Sequence, residues 1–418
     1  MTVYTGCLRP SYYEERNLVW TRLKERLRLK KIGRKEIAKL PTKPLILRIP
    51  VIAVTGSAGK TTTKEMIAAI LGRTRRVYKS MFNKNFLGNT RAHARRIKKE
   101  HQAAVLEYGM LRRGHIMRHC QIIKPSYGVI TNIGTAHIGN VGGTKQGIAL
   151  AKSELIRHML PNGKVFLNMD CAYSRMLSNQ PYTGKFSGTF ITVGMQQEAD
   201  YRATNFCQTE EGISFSCELK GEEHSFFIPV LGEHNIYNAL FAIAVADSLG
   251  LKPAVIQEGL RRFRPQKKRL THYRTVRNVH ILDDSYSSNP NAAKAAIDAL
   301  CQVARGTKVA VLASMLEMGN YEQKGHEDVG RYLSQKQVDY VYTLGKSARY
   351  IARGAIQAGF PPERVVHCIS KRQLHRMLMK RLKPNTYFLV KGSRKLRMGE
   401  TVLFLYREAT KSIAKQEL

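Results

Sequence analysis

The stretch Val51–Leu71, VIAVTGSAGKTTTKEMIAAIL, joins a β-branched run, a turn that contains two glycines and a helix-forming tail. Gly56 and Gly59 let the backbone turn tightly, so that successive N–H groups can point at phosphate oxygens. The helix that follows adds the positive end of its dipole. The stretch therefore predicts a strand, a phosphate-binding loop and a helix.

The residues that follow the turn fit a nucleotide with its metal ion. Lys60 would neutralise the β- and γ-phosphates, and Thr61 is placed to bind Mg²⁺. The match to G-x-x-x-x-G-K-[ST] is incomplete, because Val54 stands where that pattern has its first glycine. The predicted ATP-binding residues of the loop are Thr55, Gly56, Ser57, Ala58, Gly59, Lys60, Thr61 and Thr62.

The composition is that of a globular protein with an unusual charge. With 418 residues and 43% hydrophobic content, the chain can build two or three domains, and its formal net charge of +38 favours anionic partners. Seven scattered cysteines without a C-x-x-C pair argue against a zinc knuckle or a disulfide framework. No apolar run approaches the roughly 20 residues of a membrane span. These features predict a cytoplasmic protein.

Residues 1–45 form a separate basic N-terminal segment, with 12 Lys and Arg against 4 Asp and Glu. Trp20, Leu23 and Leu27 stand there at helical spacing. One interpretation is a helix that lies on an anionic membrane surface or another polyanion, which would make the protein peripheral to the membrane. The other is a helix that packs its apolar stripe on the protein body and leaves a basic face in solvent.

From Leu45 onward, short apolar runs alternate with helical patterns, which indicates an α/β fold. We predict a central P-loop ATPase-type domain with a parallel sheet at residues 46–264. A C-terminal Rossmann-like α/β domain would follow at 265–418, after the hinge sequence FRPQKKR. Residues 186–230 are predicted to form antiparallel β-structure.

The motifs recur in one order that resembles the Mur ligase family, and within it the MurF type. After TGSAGKTTTKEMI come KSMFNKNFLGNT, VLEYGMLRRGHI, TNIGTAHIGNVGGTKQGIALAKSEL, LGEHNIYNALFAIA, ILDDSYSSNPNAAKAAI, VLASMLEMGNYEQKGHEDVG and FLVKGSRKLRM. Mur ligases use ATP to join a carboxylate to an amine during peptidoglycan precursor synthesis. The MurF type adds D-alanyl-D-alanine to the UDP-muramoyl tripeptide.

The predicted catalytic residues are Lys60, Glu107, His137 and Lys152, and the predicted metal ligands are Thr61, Glu107, His137 and Lys152. Glu107 closes an apolar strand, where its carboxylate can reach a metal beside the loop; otherwise it is an ordinary salt-bridge residue. The resemblance implies two Mg²⁺ ions, with His137 as a ligand of the second. It also implies a carbamylated Lys152, although a solvated surface lysine is the alternative.

Other positions are expected to hold the nucleotide and the substrates. His234, Asn235 and Asn238 lie at a helix start, where amides can bind an adenine edge or cap the helix. By resemblance, Arg269 grips ribose or phosphate, Asp283 faces the nucleotide, and Tyr286 packs near adenine. The predicted substrate-binding residues, likewise from the resemblance, are Asn289, Lys391, Ser393 and Arg394.

Two departures from the family pattern bear on the substrate. The basic segment stands where MurF-type ligases have a domain that holds the UDP-sugar, and Ser314 stands where the family usually has Asp. We therefore predict an ADP-forming ligase with another acidic acceptor and an amino acid or dipeptide amine; addition of D-alanyl-D-alanine to a peptidoglycan precursor is the alternative. Charge alone suggests a nucleic-acid-associated P-loop ATPase, without any specific nucleic-acid motif. Ser314 also leaves open an inactive Mur-like binding protein.

Overall fold

A computed structural model describes residues 41, 43–82 and 84–411 of the chain. The predicted basic helix around Trp20 lies outside these residues. The strands are β1 (Val51–Thr55), β2 (Val77–Lys79), β3 (Ala103–Glu107), β4 (Tyr127–Ile130), β5 (Lys164–Asn168), β6 (Thr189–Gly194), β7 (Tyr201–Gln208), β8 (Ile213–Leu219), β9 (Glu222–Ile228), β10 (Thr271–Arg274), β11 (His280–Asp284), β12 (Thr307–Ala313), β13 (Tyr340–Leu344), β14 (Val365–Cys368) and β15 (Thr386–Lys391).

Helices alternate with the strands, as the sequence predicts, except within β6–β9 and between β10 and β11. They are α1 (Lys60–Leu71), α2 (Leu87–Arg96), α3 (His115–Ile122), α4 (Lys145–Lys152), α5 (Glu154–His158), α6 (Ala172–Arg175), α7 (His234–Ser248), α8 (Pro253–Arg261), α9 (Pro290–Val303), α10 (Glu322–Ser334), α11 (Arg349–Gln357), α12 (Lys371–Met379) and α13 (Gly399–Thr410). Within the described residues, no helix is both long and apolar enough to cross a bilayer.

The first sheet has the strand order β2-β3-β1-β4-β5-β6-β7-β8-β9. All five residues of β1 are buried, as expected of a parallel strand with both faces covered. Helices α1 and α7 pack against each other and share one hydrophobic core with the sheet. The predicted antiparallel structure is confirmed for β7, β8 and β9, which pair in that way. It is wrong for β6, which pairs parallel with β5, after a crossover that contains α6, and parallel with the start of β7.

Strand register brings three loops to one edge of this sheet. Val54 in β1 pairs with Glu107 at the end of β3, and Thr55 pairs with Ile130 at the end of β4. The carboxyl ends of parallel strands lie at the same edge, where ligands of open α/β sheets bind. The phosphate loop, Glu107 and the segment after Ile130 therefore lie together.

The second sheet has the order β10-β11-β15-β12-β13-β14. Strands β11 to β15 are all parallel, and β10 is the antiparallel edge strand. The α/β class with two parallel-rich sheets is thus confirmed. The predicted domain boundary at 264/265 falls between the last strand of the first sheet and the first strand of the second.

Candidate active site

At two positions of the phosphate loop, the backbone conformation and the close neighbours leave room only for glycine. Gly59 has a φ of +79° and lies at the start of α1, where a Cβ would come 2.3 Å from Asn238 Oδ1. Gly56 has a φ of +148°, and a Cβ there would come 1.8 Å from Thr131 Oγ1. The loop therefore wraps closely around its neighbours while the first N–H groups of α1 remain without intrahelical acceptors.

Two residues after β4 hold the loop in this shape. The backbone N–H of Ser57 donates to the Asn132 carbonyl at 3.0 Å, and that of Ala58 donates to Asn132 Oδ1 at 3.0 Å. The Thr131 hydroxyl donates to the Ala58 carbonyl at 2.5 Å. We did not predict these supporting roles, although the TNIG sequence at a strand end was a usable signal.

Glu107 is the acidic group beside the loop and is only 2% exposed. Its carboxylate accepts a hydrogen bond from the Thr61 hydroxyl at 2.8 Å and another from Asn85 Nδ2 at 2.7 Å. Two predicted metal ligands are thus in direct contact. Asn85, which sequence reasoning missed, orients the carboxylate from the NKN sequence. No cation pairs with Glu107 directly among the described residues, so the salt-bridge interpretation is not supported.

Lys60 folds back onto its own loop, where its Nζ donates to the Gly56 carbonyl at 2.8 Å. Burial lowers the pKa of Lys60; the negative charge of Glu107 opposes this shift and the positive charge of Arg269 adds to it. A phosphate in the loop would offer the ammonium a negatively charged acceptor in place of the carbonyl. The position of Lys60 therefore fits a nucleotide-binding role.

Lys152, the last residue of α4, is 1% exposed. No described residue forms a hydrogen bond or an ion pair with its amine. Burial, and secondly the positive charge of Lys60, holds the pKa of Lys152 well below its usual range. The alternative of a solvated surface lysine is wrong. Burial therefore disfavours the charged form of the Lys152 amine.

His137 lies in the turn before residues 138–140, with a φ of +61°. Its Nδ1 is 2.7 Å from a carboxylate oxygen of Glu317, which belongs to the C-terminal part of the chain. Burial, and secondly the Lys60 charge, lowers the pKa of His137 to about 4, with Lys152 adding to the shift. The ring is neutral at physiological pH and can be a metal ligand.

The two asparagines of α7 are held by the protein itself. Asn238 Oδ1 accepts a hydrogen bond from Thr63 Oγ1 at 3.0 Å, and Asn238 Nδ2 donates to Asn235 Oδ1 at 2.7 Å. Neither side chain caps the helix, whose N-cap is Glu233 without a side-chain cap hydrogen bond. The capping alternative is therefore wrong, and binding to adenine stays a prediction. His234 lines a cavity of about 390 Å³.

Arg269 and Tyr286 extend the site into the second sheet. Arg269 Nη2 donates to the Thr61 hydroxyl at 3.0 Å, and its guanidinium lies 4.4 Å from the centre of the Tyr286 ring. Arg269 Nε and the Tyr286 hydroxyl are buried and have no hydrogen-bond partner within the described part of the chain. Buried polar groups normally have partners, so this pair fits a site for a polar ligand. Burial also raises the pKa of Asp283, whose carboxylate accepts from the Ser285 N–H.

Three of the predicted substrate-binding side chains form hydrogen bonds within the protein, whereas the fourth, Arg394, is exposed to solvent. Lys391 Nζ donates to the Asp284 carboxylate and to the Ser287 carbonyl, which gives no support to its predicted substrate role. Ser393 Oγ accepts from the Leu316 N–H, and Asn289 caps α9. Arg394 is exposed, and its guanidinium lies 5.9 Å from the centre of the Tyr286 ring.

Ser314, the departure from the family pattern, has a structural role. Its hydroxyl accepts hydrogen bonds from the backbone N–H groups of Ser347 at 3.1 Å and Ala348 at 3.0 Å. A carboxylate at this position could accept the same two bonds. The replacement of Asp by Ser therefore leaves the hydrogen-bonding pattern possible and gives no sign of an inactive site.

Two family models match the chain. The Mur ligase middle domain matches residues 54–246, and the Mur ligase glutamate ligase domain matches residues 268–394. The chain is 35% identical over 353 residues to the UDP-N-acetylmuramoyl-tripeptide–D-alanyl-D-alanine ligase of Bacillus subtilis. That match covers 84% of this chain and 75% of the Bacillus protein.

Solved structures agree with these matches. The crystal structure of MurF from Acinetobacter baumannii has a TM-score of 0.79 at 30% identity, covering 86% of this chain and 77% of that one. The ADP complex of MurF ligase from Thermotoga maritima has a TM-score of 0.76, covering 86% of this chain and 80% of that one. At 24% identity, the second likeness shows the fold alone.

Proposed function

Because the chain belongs to the Mur ligase family of ATP-dependent, amide-forming ligases, we propose that it activates an acidic carboxylate with ATP and transfers the acyl group to an amino acid or dipeptide amine. One observation carries the proposal. The Lys60 ammonium contacts the phosphate loop and interacts electrostatically with the buried Glu107 carboxylate and with the buried Lys152 amine, which pairs with no described residue. A nucleotide-binding protein without ligase chemistry would have no need of an unpaired buried amine.

The residues present fit two Mg²⁺ ions and a carbamate. The Lys152 amine can add to CO₂ and lose a proton, which would convert an unpaired amine into an anionic oxygen ligand close to Lys60. Thr61 and Glu107 would hold one metal ion, and His137 and carbamylated Lys152 would hold the other. When bound, the ions would offset the repulsion between two approaching anions.

The remaining groups would orient the nucleotide. We propose that the N–H groups from Thr55 to Thr62 and the Lys60 ammonium hold the phosphates. The unpaired Arg269 Nε would hold a ribose or phosphate oxygen, and Tyr286 would lie against adenine, with Asn235 and Asn238 at its edge. Asp283 would face the ribose or the γ-phosphate.

The proposed reaction has two bond exchanges. An oxygen of the acceptor carboxylate attacks the γ-phosphorus, the bond to the β-phosphate oxygen breaks, and ADP leaves. The amine nitrogen then attacks the acyl carbon and loses a proton, and inorganic phosphate leaves. Lys60 would stabilise negative charge in the first exchange. The exposed Arg394 would bind the carboxylate of the incoming amine substrate.

The net charge of +38 favours an acceptor with several negative charges, and we propose one that differs from the UDP-muramoyl tripeptide. The second candidate is the reaction that the name of the Bacillus relative states, because that relative is 35% identical. In it, D-alanyl-D-alanine would be added to the UDP-muramoyl tripeptide.

The test is a screen for ADP release that depends on both an acid and an amine, with mass spectrometry of the products. We expect ADP and a condensed product for at least one pair, and loss of both in Lys60→Ala. Efficient use of UDP-muramoyl tripeptide with D-alanyl-D-alanine would establish the second candidate. ATP cleavage without a condensed product from any pair would overturn the ligase proposal.

A further inference from the structure

Three side chains of the kinds that bind metal ions lie together outside the candidate active site. Glu210, His272 and His280 each offer one ligand atom, and these three atoms lie within 4.8 Å of one another. The group joins both sheets: Glu210 lies in the turn between β7 and β8, whereas His272 is on β10 and His280 is on β11.

The imidazole rings of His272 and His280 point a nitrogen atom at each other. His272 Nε2 and His280 Nδ1 are 2.9 Å apart. In a tetrahedral site with metal–nitrogen distances of about 2.0–2.1 Å, two such nitrogens would be about 3.3 Å apart. To admit an ion, the two rings must separate slightly and also turn, because their facing nitrogens now lie on one line between nearly parallel rings. The Glu210 side chain is on an exposed turn, and its carboxylate could supply the third ligand.

The neighbours of His280 fix its tautomer. His280 Nε2 lies 3.1 Å from Asn278 Oδ1, and Asn278 Nδ2 donates to Asn385 Oδ1, so the amide oxygen of Asn278 must face the imidazole. His280 therefore carries its proton on Nε2 and presents a lone pair on Nδ1. A hydrogen bond on the far nitrogen is the usual outer-shell feature of a metal-bound histidine.

The surrounding side chains hold the group in place. The ring of His280 stacks on Tyr387 with 4.0 Å between ring centres, and the Tyr387 hydroxyl donates to Glu210 Oε1 at 3.4 Å. The Arg274 guanidinium nearby opposes a cation, but its side chain is exposed and donates to Asn278 Oδ1.

We propose that Glu210, His272 and His280 bind one Zn²⁺ ion, which ties the β7–β8 turn to the β10–β11 hairpin. Two imidazoles and one carboxylate form a ligand set that suits Zn²⁺ and leaves a fourth position for water. On binding, the N–H···N bond between the imidazoles is replaced by two nitrogen–metal bonds. The His272 proton moves from Nε2 to Nδ1 through solvent.

The ion would lie close to the segment that joins the two sheets. His272 is three residues after Arg269, and Lys267 and Lys268 of the hinge sequence are exposed. A link between Glu210 and the β10–β11 hairpin would restrain that segment. Bound Zn²⁺ should therefore slow tryptic cleavage after Lys267 and Lys268.

Zn²⁺ binding is measured by calorimetry on the full, untagged chain in excess Mg²⁺ and ADP, with Co²⁺ absorption as the probe of geometry. We expect the wild type to bind one more Zn²⁺ ion per chain than the His272→Gln variant or the Glu210→Gln variant. Asn278→Ala should keep the site but weaken it by roughly 10–100-fold. The control is His224→Gln, since His224 lies near Glu222 and belongs to no three-ligand group among the described residues. Equal Zn²⁺ uptake by the wild type and both ligand variants would overturn the site.

Tryptic cleavage, mapped by mass spectrometry, tests the link between the sheets. Zn²⁺ should protect the bonds after Lys267 and Lys268 at least several-fold in the wild type and in His224→Gln, but not in Glu210→Gln. Because Glu210 is on an exposed turn, its replacement by Gln should leave the fold intact. Zn²⁺ uptake without protection would overturn the proposed link.

Discussion

Lys152 and Lys391 are both buried lysines, one beside each sheet, and their surroundings are opposite. Lys152 is 1% exposed and Lys391 is 2% exposed. Lys391 stands next to Asp284 in the β11–β15 register and forms an ion pair with its carboxylate. Lys152 has no partner among the described residues. The charge that shifts its pKa is that of another cation, Lys60.

From this difference we propose a structural role for Lys391 and a functional role for Lys152. A buried ion pair keeps its desolvated charges balanced, so its loss affects the fold. A buried amine without a counter-ion has no partner to balance its charge. Such destabilising groups are found most often at functional sites. The two lysines should therefore respond to substitution in opposite ways.

Lys391→Met should have the largest effect on stability. The substitution leaves the Asp284 carboxylate without its cation, and breaking a buried pair costs about 3–5 kcal/mol of unfolding free energy. Chemical denaturation measures this loss. The control is the double variant Lys391→Met with Asp284→Asn, which should regain much of the stability. A Lys391→Met protein as stable as the wild type would contradict a structural role for Lys391.

Lys152→Gln should have the largest effect on catalysis with little change in stability. Loss of the carbamate would remove charge stabilisation from the reaction, and we expect the ligation rate to fall roughly 100- to 1,000-fold. Removal of CO₂ and bicarbonate should lower the wild-type rate and leave that of Lys152→Gln unchanged. A carbamate carbon signal in NMR with ¹³C-bicarbonate should appear in the wild type alone. Equal losses of stability in Lys152→Gln and Lys391→Met would contradict the proposed difference between the roles of the two lysines.

The first sheet and its loop could be predicted from sequence because the signals are local. The β-branched run, the two glycines and the helix-forming tail of residues 51–71 became β1, the loop and α1. Glu107 could be placed because it closes an apolar strand, and parallel strands end at one edge of a sheet. That reasoning needs no knowledge of strand order.

The surroundings of Lys391 could not be predicted because they depend on strand register. Asp284 is 107 residues away in sequence, and only the β11–β15 pairing makes it a neighbour. The support of the loop by Asn132 depends in the same way on the β1–β4 pairing. The parallel direction of β6 depended on a crossover that its own residues do not indicate.

Arg394→Ala should weaken binding of the amine substrate by an intermediate amount. Arg394 is exposed close to Tyr286, and a charge-assisted hydrogen bond to a carboxylate contributes about 1.5–3 kcal/mol. The KM for the amine should rise roughly tenfold or more, whereas the KM for ATP should stay the same. Lys395→Ala, which removes the neighbouring exposed cation, is the control. Equal effects of the two variants would indicate general electrostatics instead of a specific contact.

Ser314→Ala should have the smallest effect, and it concerns stability alone. The hydroxyl accepts two backbone N–H bonds at the start of the segment that leads into α11, and loss of a capping side chain costs about 0.5–2 kcal/mol. Ser314→Asp, which restores the family residue, should be at least as stable as the wild type, because a carboxylate near a helix N-terminus is favoured. Denaturation curves and ligation rates of both variants test this. If Ser314→Ala stopped ligation while remaining folded, the hydroxyl would belong to the chemistry of the site, and the C-terminal sheet would contribute more to catalysis than its paired lysine suggests.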